Sequence, residues 1–227
     1  MSQTGKFLIL IALSLTGGLR AEITPEELER WFRSDEFAPP RETPGPEARP
    51  RFLDPPPRGR LHHQRAEIAI VARSLDDGWV RVTQCHENMD PADEVEIVFR
   101  PGRARGLEVV SRTGIGRAWV AGDRVRMASV RRGAAICVRG WLRSLRINDD
   151  GSFTFHGGPY MRRRAGGYLP MHVSARLDFA GTGLKPAAVE PAPQPGFRVY
   201  RERGALRYEA WFTGRLRTTV RFSADIL

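Results

Sequence analysis

From Ala66 to the end of the chain, short runs in which apolar residues alternate with charged ones follow one another, separated by glycine, asparagine or aspartate. Successive side chains on a strand point to opposite faces, so this period of two is the mark of half-buried β-strands. In "EVEIVFR", Val95, Ile97 and Phe99 alternate with charged neighbours; in "MHVSARLDFA", Val173, Ala175, Leu177 and Phe179 share one side. "AEIAIVARS" and "GWVRVTQ" meet at Asp76-Asp77-Gly78, a hairpin turn. "RGLEVVS", "GRAWVAG" and "DRVRMAS" read as three more strands bounded by glycine. "AAICVRGWLRSLRI" reads as one long strand that turns at "NDDG" and returns as "SFTFH". About ten short strands with almost no helix predict an all-β body, an antiparallel β-sandwich of immunoglobulin-like or related type.

The segments ahead of this body have a different character. "MSQTGKFLILIALSLTGGLRAE" places Lys6 before an apolar run, Phe7 to Leu15, broken only by Ser14, with Gly17, Gly18 and Ala21 following. That layout predicts a secretory signal peptide over residues 1–21, with an apolar run too short to cross a bilayer. No later run is apolar enough to span a membrane. Residues 22–37 hold a short amphipathic helix: Thr24 caps it, Pro25 suits its first position, Glu27 completes a capping box, and Leu28, Trp31 and Phe32 share a face. Residues 38–61 are a proline-rich linker, because proline fixes φ and lacks the amide donor. The β-sandwich core is expected over 62–184. A second proline-rich connection, 185–196, precedes a three-stranded meander over 197–227, turning at Gly204 and Gly214 and packed on the same body.

Export gives the cysteines a role. Cys85 and Cys137 are the only two in the chain, and an oxidising compartment favours their pairing. The formal net charge is +10, of which Lys6 and Arg20 leave with the signal; the only other lysine is Lys185, so the excess is arginine. Guanidinium forks suit phosphates and carboxylates, which points to an envelope protein or an anionic envelope component as partner. The arginines are spread along the chain rather than gathered into a tract, so nucleic acid is not expected.

"FHGGPYMRRRAGGYLPMHV", Phe155 to Val173, concentrates the candidate site residues. Glycines on both sides predict a mobile loop in which Tyr160, Arg162, Arg163, Arg164 and Tyr168 form a contact surface. His156 is read as the end of a strand and His172 as the start of the next. A second reading draws on His156, Met161, Met171 and His172 as soft ligands for copper(I); no other cofactor is expected. His62-His63 lies near the end of the linker. In "VTQCHENMDP", Cys85 and His86 are neighbours that face opposite ways on a strand, and a disulfide would consume the thiolate. "NDDGS" has Pro159 where a calcium loop needs its bidentate glutamate. Neither a Gly-x-Ser-x-Gly elbow nor an HExxH pair occurs. The leading reading is therefore an exported, periplasmic, non-catalytic binding or assembly protein of the cell envelope. A copper-handling protein is the alternative, and a hydrolase of envelope polymers, with no motif behind it, the third.

Overall fold

The computed structural model describes residues 49–164 and 167–224. The expected signal peptide, the amphipathic helix and residues 38–48 of the linker lie outside the described residues. The elements are β1 (Arg51–Phe52), β2 (His62–Ala69), α1 (Ser74–Asp77), β3 (Trp79–Met89), β4 (Ala92–Val98), β5 (Ala104–Ala121), β6 (Arg124–Arg143) and β7 (Leu145–Ile147). They continue with β8 (Phe153–Tyr160), β9 (Arg163–Arg164), β10 (Gly167–Tyr168), β11 (Met171–Asp178), β12 (Leu184–Glu190), β13 (Phe197–Glu202), β14 (Ala205–Thr213) and β15 (Leu216–Ala224).

The chain is all-β, as the alternation requires. A nine-stranded sheet runs β1-β14-β11-β2-β3-β6-β4, with β13 also on β14 and β5 also on β6; a four-stranded sheet runs β12-β15-β8-β7. Among the described pairs, β2 and β11 run parallel and the rest antiparallel. The parallel pair joins segments about a hundred residues apart in sequence, which no local turn signal reports.

Four expectations are corrected. The glycine-bounded runs merge into two long strands, β5 and β6, because their glycines sit inside strands: Gly114 takes φ +70° between the shifted registers of Thr113 and Ile115. The proline-rich connection contains a strand, β12, at the edge of the small sheet, where Pro186 needs no ladder hydrogen bond on its open side and a bulge follows it. The C-terminal meander is a two-stranded hairpin plus a sheet switch. β13 and β14 pair with each other, while β15 pairs with β8 and β12 in the other sheet. The corner is Gly214, at φ +93°, where a Cβ would stand 2.2 Å from the Arg49 carbonyl oxygen. The end of the predicted linker is also part of the body: Arg51 and Phe52 pair with β14, and Phe52 packs on Phe197 with ring centroids 5.5 Å apart.

The two sheets share one core. Val80, Val82, Val173, Leu177, Leu206, Tyr208 and Phe212 from the large sheet meet Phe153, Phe155, Val220 and Phe222 from the small one. Full burial of side chains of this size stabilises by roughly 1.5–3 kcal/mol each. A second cluster of Met89, Phe99, Ile115, Val125, Met127, Ile136 and Val138 lies along the end of β3 and along β4, β5 and β6. Cys85 and Cys137 stand opposite each other on β3 and β6 and form a disulfide. The bond closes a loop with a sequence separation of 52. Chain-entropy arithmetic puts its contribution at about 4 kcal/mol. Reduction should therefore lower the melting temperature by on the order of 10 °C, read by differential scanning calorimetry with and without reductant.

Candidate functional site

Adjacent histidines at the start of β2 send one imidazole to each face of the large sheet, and each joins a separate polar assembly. His63 faces outward. Across the sheet, β2 pairs His63 with Glu87 of β3 and with His172 of β11, and β11 pairs His172 with Trp211 of β14. The rings stack: His63 on His172 at 3.9 Å and 13°, His172 on Trp211 at 4.6 Å and 7°. Arg198, from β13, lies over the Trp211 ring at 5.4 Å. At the other end Glu87 stands 3.6 Å from His63 Nδ1, and its second oxygen is 3.6 Å from Arg65 Nε. One row of side chains thus crosses five strands, from a carboxylate to a guanidinium.

A second row lies beside it. Ser174 of β11 is in register with Arg65 on β2 and Glu209 on β14. Its Oγ is 2.8 Å from His63 Nε2, while His172 Nε2 donates to Glu209 at 2.9 Å. Burial lowers the pKa of His63, helped by neighbouring His172 and opposed by Glu87. Burial likewise lowers that of His172, against the Glu209 hydrogen bond. Both rings are therefore mainly neutral at pH 7. Arg65, Glu67, Arg198 and Arg207 on this face are exposed.

His62 faces inward. Its Nε2 is 3.0 Å from His86 Nδ1, and Gln84 Nε2 is 2.7 Å from His86 Nε2. An amide NH2 can only donate, so His86 accepts at Nε2, carries its proton on Nδ1 and donates to His62. Burial is the main cause that pushes His62 down to about 4, with Arg162 adding to it. Burial and the facing His62 push His86 down to about 3. Alternation along β3 places Gln84 and His86 on the same face as Val80 and Val82, opposite Val138 and Ile136 of β6. The three polar groups form a seam between the two apolar clusters.

The predicted contact loop is largely built into the body. Tyr160 is a core residue: β8 continues through Gly157-Gly158-Pro159 and pairs Tyr160 with Leu216. Its hydroxyl is 2.7 Å from that of Tyr208, which accepts from Thr218 Oγ1 at 2.9 Å. His156 accordingly sits within β8 rather than at its end. Arg162 donates to the Asp90 carboxylate and, at 3.1 Å, to the Pro170 carbonyl. Arg163 and Arg164 pair with Tyr168 and Gly167 in the short β9–β10 ladder, so this segment is a hairpin. Arg163 is exposed there and Tyr168 half-buried.

The proposed copper ligands do not converge. Met171 is 1% exposed on the core face, its neighbour His172 stands on the outer face, His156 belongs to the small sheet, and Met161 follows β8. Among the described residues, no three His, Cys, Asp or Glu side chains gather as a metal site. The residues that do come together, His62, His63, His86, Glu87, Ser174, Glu209 and Trp211, lie outside the contact and copper sets that the sequence suggests. The adjacent pair His62-His63 at a strand start was the available signal, since it must supply one imidazole to each face.

Comparison with known proteins adds little to this geometry. No protein-family model matches the sequence, and no curated protein sequence matches it. Among solved structures, an M1 zinc metallopeptidase of Deinococcus radiodurans with a bound Tyr-Ser-Ala substrate is similar at a TM-score of 0.38 and 10% identity, over 72% of this chain and 42% of that one. An M1 zinc metallopeptidase from the same organism gives a TM-score of 0.37 and 13% identity, over 74% and 43%. The chain thus spans less than half the length of either, and a likeness of this degree carries no argument about its chemistry.

Proposed function

We propose that this is an exported binding or assembly protein of the cell envelope, periplasmic in location, which holds an envelope protein or an anionic envelope component. The contact surface is the outer face of the large sheet together with the β9–β10 hairpin that leads into β11. One observation carries the reading: a row of one carboxylate, three stacked rings and one guanidinium crosses five strands, with Arg65, Glu67 and Arg207 exposed on the same face. Rigid aromatic and arginine side chains are the groups that dominate contact energies in protein interfaces. The disulfide and the signal-like N-terminus both favour an oxidising compartment.

Two variants of the full chain test this: Trp211→Ala on the sheet and Arg163→Ser/Tyr168→Ser on the hairpin. Each should reduce capture of envelope components at least fivefold while melting within a few degrees of the parent. Capture unchanged by either variant would end the reading. An anionic partner should also be released by raising salt to about 0.5 M, where surface charges are screened over a few ångströms.

A further inference from the structure

We propose that Ser174, His63 and Glu87 form an acyl-transfer site on the outer face of the large sheet, acting on small carboxylic esters carried by a larger molecule. This goes beyond the binding role and does not depend on it. A nucleophile within hydrogen-bond reach of a base, with the base oriented by a third group, is the arrangement that activates serine. Here three neighbouring strands supply the three parts. Ser174 Oγ, on β11, lies 2.8 Å from His63 Nε2 on β2, and Glu87 of β3 faces the other ring nitrogen, Nδ1, at 3.6 Å. Contacts of this kind are often long in the free protein and tighten when substrate binds.

Other features of the site agree with the assignment. The His63 ring is held between its neighbours: His172 stacks on it, so it cannot swing away from Ser174. A neutral imidazole is what a general base requires, and its low proton affinity keeps it neutral at pH 7. Arg65, in register with Ser174, sends its guanidinium toward Glu87 of β3, 3.6 Å away, and so holds the carboxylate that faces His63. Ser174, His63, His172 and Glu209 are half-buried and Arg65 beside them is exposed, so the acyl group meets a shallow face rather than a deep pocket. That geometry favours a short acyl group projecting from a polymer or another large carrier.

The reaction balances with water alone. Ser174 Oγ bonds to the ester carbonyl carbon as its proton passes to His63 Nε2. The carbon–alkoxy bond breaks, and the leaving alkoxide takes that proton. Water, giving its proton to His63 Nε2, then attacks the acyl-serine carbon; the carbon–Oγ bond breaks, Oγ takes that proton back, and the carboxylic acid leaves. Ser174 and His63 are the catalytic residues; Glu87 positions the ring.

The purified full chain is treated with a fluorophosphonate probe, its adduct is mapped by peptide mass spectrometry, and p-nitrophenyl acetate hydrolysis is followed. One adduct is expected, on Ser174. It should disappear in Ser174→Ala, form at least tenfold more slowly in His63→Gln, and be unchanged in Ser111→Ala, an exposed serine elsewhere on the sheet. Glu87→Gln should shift the pH midpoint of labelling to lower pH, which a purely structural role would not do. Hydrolysis that persists in Ser174→Ala, or a folded parent chain that takes no label on Ser174, would overturn the assignment. Parent-chain labelling needs no variant to fold, and neither outcome bears on partner capture.

Discussion

Acidifying the protein from pH 7 to about 4.5 is expected to remove several kcal/mol of stability, read as a falling unfolding midpoint in urea. His62 and His86 are the main cause. Burial pushes them down to about 4 and about 3, and His156, through burial and then Arg146, to about 4. An unfolded imidazole takes a proton near 6.5. Between that value and about 4 the unfolded chain therefore binds protons that the folded chain refuses, so stability rises with pH across the window. The contribution is complete above 6.5 and is lost as the pH falls through it. At roughly 1.4 kcal/mol per unit, each of the inner pair accounts for about 2–3 kcal/mol by pH 4.5. His156 is less deeply set and adds a smaller share. Replacing His86 with Gln should flatten the slope between pH 6.5 and 4. A midpoint that does not move between pH 7 and 4.5 would mean that these rings stay open to water.

Gly157→Ala should cost about 3–5 kcal/mol, and Gly157→Val should prevent folding at 37 °C. A Cβ on Gly157 would lie 2.4 Å from Thr218 Oγ1, 2.7 Å from the Tyr208 hydroxyl and 2.9 Å from the Tyr160 hydroxyl. All three hydroxyls belong to one buried hydrogen-bonded chain. Overpacking costs roughly 1–3 kcal/mol, and each buried hydroxyl driven from its partner a similar amount. Because the penalty arises from crowded oxygens, Tyr208→Phe should relieve part of it. The double variant should then be less destabilised than the two single changes combined, measured as a coupling energy in a double-mutant cycle. Strict additivity would show that the tyrosine hydroxyl is not what Gly157 accommodates.

The same glycine explains one misreading. Gly-Gly-Pro ordinarily ends a strand, so Tyr160 is assigned from sequence to a loop. Its real environment depends on Thr218 and Tyr208, about 50 residues away, and no local pattern reports them. The period-two alternation, by contrast, is a local property. It placed Val173, Ala175, Leu177 and Phe179 on the core side, where all four are buried. An oxidising compartment favours pairing Cys85 with Cys137, the only two cysteines, and the register of β3 with β6 brings them together. The site was the least legible part. Glu87, His63, His172 and Trp211 meet only because β2 lies between β3 and β11, and β11 lies beside β14. The soft ligand types of His156, Met161, Met171 and His172 suggest a shared set, but strand geometry sends Met171 and His172 to opposite sides.

The switch of the chain between sheets at Gly214 affects the order in which the protein can fold. β14 is flanked by β1, β11 and β13, and β15 by β8 and β12, so both sheets wait for the last strands described. Until Val220 and Phe222 arrive, Phe155 and Phe153 lack their cross-strand neighbours in the small sheet. A chain emerging from the ribosome would therefore hold two unfinished sheets until these strands appear. Pairings this distant also close slowly, because loop entropy is spent before the contacts form. The large sheet does not close until β14 has been made, nor the small one until β15 has.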